Sequence, residues 1–154
     1  MFMWILIICA IAVVAVLSIY AGMLLTRLRA QTKATRAAES KRLNYVHESI
    51  ETIAKAMQQE QCPLSEGCIR IAVLLDNLPD ADTANYAMRW PSIHAMYDRI
   101  KHMPTHEARK EYPKKEIRKM DREREGYEVE MEAGIQTDVQ TILVWVREQR
   151  SAAQ

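Results

Sequence analysis

Residues 62–78, CPLSEGCIRIAVLLDNL, decide the fold class. Taken alone, residues 69–75 are short and apolar enough to read as a buried strand. The rest of the chain offers no second strand candidate to pair with it, and an isolated strand leaves its backbone groups unsatisfied. Read as a helix, the stretch gathers Cys68, Ile71, Ala72, Leu75 and Leu78 on one side, with Arg70 and Asn77 on a narrow polar line. Such a helix is mostly buried. Ahead of it, Pro63 and Gly67 interrupt the preceding pattern, Ser65 is placed to cap the new helix through its hydroxyl, and Glu66 suits the positive helix end. The expectation is an all-α body.

The flanks extend that reading. Toward the N-terminus, Leu43, Val46, Ile50, Ile53 and Met57 recur at intervals of 3, 4, 3 and 4, an amphipathic seam. It lasts about two heptads, short of the three or four that mark a coiled coil, so packing within a bundle is favoured. Toward the C-terminus, Pro79, Asp80 and Asp82 mark a turn, and a short helical piece carries Tyr86 and Trp90 on one side. Pro91 disfavours helical geometry at Trp90 and suits the first turn of a new helix, along which Ile93, Met96, Tyr97, Ile100 and Met103 recur. Pro104 closes that segment. After the short piece HEARKEY and Pro113 there is no further proline. There Ile117, Met120, Tyr127, Met131, Ile135, Val139, Ile142, Leu143 and Val146 trace one stripe that Arg124 interrupts. Glu111 with Lys115 and Lys119 with Glu123 stand one helical turn apart, Gly126 and Gly134 are candidate bends, and the closing ILVWV is expected on the helix after Cys68.

The first 26 residues are of a different kind. FMWILIICAIAVVAVLSIYAGMLL, residues 2–25, contains no charged side chain. As a helix these 24 residues reach about 36 Å, more than the ~30 Å of a bilayer's hydrocarbon. Trp4 and Tyr20 fall near its ends, where amphipathic rings favour the headgroup boundary. A cleaved secretory signal would need a cationic start and a shorter apolar stretch, and neither is present. Arg27, Arg29, Lys33, Arg36, Lys41 and Arg42 follow, opposed by Glu39 alone. Basic residues beside a span stay cytoplasmic, which directs the N-terminus to the periplasm and residues 43–154 to the cytoplasm. The same collar would attract anionic lipid headgroups. Phosphates of nucleic acid would also satisfy it, but beside a bilayer the lipid role is favoured and nucleic acid is not counted among the partners. Ser18 and Gly22 form a weak small-xxx-small pair, so a passive anchor is preferred to a pairing one. The organisation expected is therefore a transmembrane anchor over 1–26, a basic juxtamembrane helix over 27–42, and a small cytoplasmic helical bundle over 43–154 ending in a long helix.

Composition narrows the function. The chain has 154 residues, with 21 Lys and Arg against 20 Asp and Glu, and residues 43–154 carry 15 basic against 19 acidic side chains. That length beyond the anchor holds one domain, not two catalytic ones. The four glycines are scattered, whereas phosphate-cradling loops need them clustered so that backbone N–H groups can approach the anion. Cys9 lies in the apolar run; Cys62 and Cys68 flank the Pro-to-Gly loop and are the candidate redox pair, with structural thiols the simpler reading in a reducing cytosol. Zinc would need partners from His47, His94, His102 and His106, and neither the cysteine spacing nor the Pro104 break between the last two histidines suits it. No nucleophile signature is present, and Glu123, Glu125, Glu128, Glu130 and Glu132 are spaced for a solvated helix face. No catalytic residue, metal or cofactor is implied.

An apolar start, a basic collar, QQEQCPLSEGCIRIAVLLDNL and a Trp-Pro helix together resemble a family of small gammaproteobacterial inner-membrane proteins known only as a domain of unknown function. The resemblance covers nearly the whole chain, is most specific over residues 62–70, and implies a bacterial cytoplasmic membrane with no catalytic residues to transfer. The leading functional expectation is a membrane-tethered helical interaction module that holds a cytoplasmic protein partner, or a second copy, at the inner leaflet, with Tyr86 and Trp90 as candidate partner contacts. The alternative is a thiol-based redox sensor or enzyme using Cys62 and Cys68.

Overall fold

Seven helical elements account for the secondary structure of residues 2–152, which the computed structural model describes apart from the side chains at 4–16, 18, 19, 21 and 106. They are α1 (Phe2–Gln58), α2 (Leu64–Asp76), α3 (Ala81–Ala84), α4 (Tyr86–Arg89), α5 (Pro91–Ile100), a 3-10 turn (His106–Glu111) and α6 (Lys114–Ala152). No strand occurs among the described residues, so residues 69–75 take the helical alternative. The chain divides into two compact units, Met1–Arg42 and Leu43–Gln154.

In the first unit the described residues are helical throughout, and no proline interrupts them. Among the described residues no helix is long and apolar enough to cross a membrane. The all-α class and the long C-terminal helix are thus observed, and the span expected over 1–26 is not. Most of that span, with Trp4, Cys9 and Ser18, falls on side chains outside the described ones.

In the second unit, α1 ends by a backbone device that its sequence does not advertise. Glu60 adopts φ 56°, its N–H donates to the Met57 carbonyl at 3.2 Å, and the Gln61 N–H donates to the Ala56 carbonyl at 2.9 Å. This pair of bonds is a Schellman motif with Glu60 at the left-handed position where glycine is usual. Pro63 then stops any continuation. The seam of α1 faces the core as its spacing requires: Val46, Ile50, Ala54 and Met57 are buried. Helix α2 buries Cys68, Ile71, Ala72 and Leu75, with Leu78 just beyond, and packs against α5 and α6, which also pack on each other. From α5 come Ile93, Met96 and Ile100, and from α6 Ile135, Val139, Ile142, Leu143, Trp145 and Val146. Arg150 of α6 pairs with Glu51 of α1 at 2.5 Å, beside a second pair from Lys55 at 2.6 Å.

Helix α6 runs unbroken through both candidate bends, Gly126 and Gly134. The two glycines differ in purpose. A Cβ on Gly126 would meet nothing within 4 Å, whereas one on Gly134 would stand 2.6 Å from Ser92 Oγ. Gly134 lets α5 approach α6 closely; Gly126 is a solvent-facing weak point.

Candidate functional site

The aromatic cluster of the second unit is built from three helices. Tyr86 of α4 stacks on Trp90, with centroids 5.5 Å apart and planes inclined by 14°. Trp145 of α6 meets Trp90 edge-on at 5.0 Å and Tyr86 at 5.6 Å, while His47 of α1 meets Trp145 at 5.4 Å and 83°. Offset and edge-on arrangements place the positive ring edge on the negative ring face, the favoured geometry of aromatic pairs. The Trp90 indole N–H donates to Thr141 Oγ1 at 3.1 Å, and the Tyr86 hydroxyl lies 2.9 Å from each Asp80 carboxylate oxygen, to which it donates. Arg89 lies over the Trp90 ring at 4.9 Å. With Tyr86 4% and Trp90 0% exposed, the two residues expected as partner contacts are core instead. The correction has a simple cause: a bundle this small has few places to close three large rings, and they close on one another.

At the edge of that cluster opens a cleft of about 250 Å³ lined by Leu43, His47, Leu78, Pro79, Asp80, Tyr86, Trp145 and Gln149. Its lining joins the Tyr86 and Trp145 rings with the Asp80 carboxylate and the His47 imidazole. Burial pushes the His47 imidazole below its ordinary value, Asp80 opposes that shift and Arg150 adds to it. Burial and the bond to Asp80 raise the Tyr86 phenol, so it remains a neutral donor. Sequence reasoning weighed His47 only as a metal ligand and did not connect Trp145 with Tyr86 and Trp90. Those contacts join α1, α4 and α6 across long stretches of chain, and no local signal carries them.

Two acids of α6 do what the sequence assigned to other residues. Glu128 Oε1 accepts the Ser65 N–H at 3.1 Å, and Arg124 Nη1 donates to Ser65 Oγ at 3.2 Å. Ser65 lies within α2 and makes no side-chain cap bond; a carboxylate from α6 satisfies its N–H. Glu128 is accordingly a cap, not a member of a solvated acidic face, and Arg124 interrupts the apolar stripe because it serves this cap. Asp138, buried on α6, repeats the arrangement at α5, with Oδ2 accepting from Ser92 N–H at 2.8 Å and Ile93 N–H at 3.1 Å. Pro91 has no N–H and the His94 N–H reaches the Trp90 carbonyl at 3.3 Å, so the first turn of α5 leaves no orphan donor. One buried side-chain atom lacks a hydrogen-bond partner among the described residues: His94 Nε2, 3.6 Å from the Asp76 carboxylate.

With this geometry in hand, comparison with known proteins gives one clear result. Residues 14–142 match the family described as Protein of unknown function (DUF2489). The chain belongs to this family. It is 33% identical over 140 residues to an uncharacterized protein of Haemophilus influenzae, covering 91% of this chain and 92% of that protein. The gammaproteobacterial resemblance drawn from the residues is therefore correct at family level. No solved structure matches. The DUF2489 match begins inside the uncharged run, takes in the collar and all of α2 to α5, and stops within α6.

The remaining candidates are placed as follows. Arg27, Arg29, Lys33, Arg36, Lys41 and Arg42 are exposed on α1. Cys62 is half-buried, Cys68 is fully buried, and both are free thiols. Burial pushes the Cys68 thiol up to about 12, and burial with nearby Glu66 raises Cys62 as well. Since the thiolate is the reactive form, these surroundings suit packing better than a redox exchange. Among the described residues no group of three or more His, Cys, Asp or Glu side chains is placed to hold a metal ion. The His106 side chain lies outside that description.

Proposed function

We propose that this chain is a membrane-tethered helical interaction module. Residues 1–26 anchor it once in a bacterial inner membrane with the N-terminus periplasmic, and the collar from Arg27 to Arg42 meets anionic headgroups of the inner leaflet. Residues 43–154 offer a folded surface to a cytoplasmic protein partner or a second copy. The carrying observation is the uncovered apolar surface of α1. Phe2, Met3, Leu17, Tyr20, Met23, Leu24, Leu25 and Leu28 are each more than half exposed, in a stretch whose sequence has no charge before Arg27. Large apolar side chains left in water forgo roughly 1.5–3 kcal/mol each. Over eight such residues that is on the order of 10 kcal/mol or more, as large as the whole stability of a typical domain. A bilayer recovers it.

The basic collar supports the orientation, because cations concentrate on the cytoplasmic flank of a span. Confinement to the leaflet raises the effective concentration of partners without any new contact, which is what a tether contributes to a binding module. The cleft beside His47, Asp80 and Trp145 supplies a shaped contact of the kind such a module uses. Alkaline carbonate washing of membranes carrying the full chain tests the reading. The intact polypeptide should stay with the pellet, and a reporter fused after Gln154 should be active only on the cytoplasmic side. Release into the supernatant, or a periplasmic signal, overturns it.

A further inference from the structure

A second cleft, of about 440 Å³, lies where the 3-10 turn meets the start of α6, and it is lined by Arg109, Lys110, Tyr112, Lys114, Ile117 and Arg118. Most of the surface turned to the cleft is carbon, and its lining residues are four cations, one ring and one aliphatic side chain, with no acid. This is unusual in a unit whose side chains sum to a net negative charge, 15 basic against 19 acidic over residues 43–154. The cations are not spent on one another's neighbours to the same degree. Arg109 is held by Asp121 at 2.6 Å, a half-buried pair that fixes the guanidinium at the cleft edge. Lys110 pairs with Glu107 at 2.6 Å, but both side chains are largely in solvent, where such pairs contribute little and exchange readily. Lys114 and Arg118 make no ion pair among the described residues. Tyr112, 45% exposed on extended backbone, and the half-buried Ile117 supply the apolar surface between them.

We infer that this cleft binds the phosphate group of an organophosphate, with Lys114 and Arg118 as its principal charges and Tyr112 against the organic part. Phosphate matches the set better than a lone carboxylate does. It offers several acceptor oxygens, and a guanidinium can engage two of them at once. The ligand is small. The cleft falls in the size range of small-ligand sites. The same chemistry is presented by a free nucleotide and by the headgroup of an anionic phospholipid. The inference does not depend on the anchor, since every residue it uses lies in the second unit.

Lysine footprinting on the full-length chain tests it. Acylation of Lys110 and Lys114 is followed by mass spectrometry, first in neutral detergent with adenosine monophosphate or with adenosine, then in nanodiscs of phosphatidylglycerol or phosphatidylcholine. Protection by adenosine monophosphate but not adenosine identifies a free-phosphate site, and protection in phosphatidylglycerol but not phosphatidylcholine identifies a headgroup site; either result supports the inference. In the supporting case the double variant Lys114→Gln/Arg118→Gln, read at Lys110, weakens binding by about tenfold or more. A collar variant, Arg27→Gln/Arg29→Gln, retains the adenosine monophosphate response. Absence of protection with both phosphate probes, equal protection by adenosine, or undiminished binding in the double variant overturns it.

Discussion

Asp138 is a buried carboxylate whose acceptor oxygen takes two backbone N–H groups of another helix. Removing it leaves both donors in the interior without water. Asp138→Ala should therefore lower unfolding free energy by about 2–4 kcal/mol in urea titrations, while Asp138→Asn, which keeps an acceptor but loses the charge, should cost less than half as much. An equal loss in the two variants would mean that the negative charge, which both remove, and not the acceptor oxygen, sets the cost. Cys68 makes the opposite case, a reactive atom silenced by burial. In the native chain it should resist thiol alkylation at neutral pH and become modified only on unfolding, with Cys62 reacting sooner, as peptide mapping would report. His47 can be read through pH. Its folded-state value lies below its ordinary one, so the unfolded chain takes up a proton first as pH falls. The contribution of His47 is whole above the ordinary value near 6.5 and is lost on acidification through and below it. The thermal midpoint should drop between about pH 7 and 5, and His47→Gln should flatten that drop. An unchanged slope in the variant would place the titration elsewhere.

Helix ends and helix contacts decide more than helix interiors. Glu60 occupies a left-handed conformation that costs a side-chain-bearing residue roughly 1 kcal/mol. Glu60→Gly should raise stability by about that amount, because the Schellman bonds at the end of α1 remain and the strain goes. The two glycines of α6 should respond with opposite signs. Gly126→Ala meets open space in a helix interior and should stabilise by about 0.5–1 kcal/mol. Gly134→Val would drive methyl groups into Ser92 and should destabilise by about 1–3 kcal/mol, with chemical denaturation measuring both. The stripes of α1, α2, α5 and α6 are legible in sequence because helical spacing alone gathers their apolar side chains. The caps are not. Ser65 has the residue type of a cap, yet Glu128 and Asp138 do that work from α6, at sequence distances over which no local pattern acts.

Across the whole chain, charge and hydropathy are divided as the functional reading needs: apolar, then basic, then a mixed body that is acidic in sum. The first unit exposes large apolar side chains, among them Leu17, Met23, Leu24, Leu25 and Leu28. The second closes a core of its own and, among the described residues, has an aromatic cleft beside His47 and a cationic one beside Lys114. Amino-acid order by itself determined the helical class, the stripes, the proline-set boundaries at residues 63, 91 and 113, and family membership, because periodicity, proline geometry and residue identity are properties of short stretches. Tertiary structure alone decided that Tyr86 and Trp90 are core and that Glu128 and Asp138 cap foreign helices. Each of these depends on which side chains meet once α1, α2, α5 and α6 have closed on a common core, and that choice is made by packing between segments far apart in the chain.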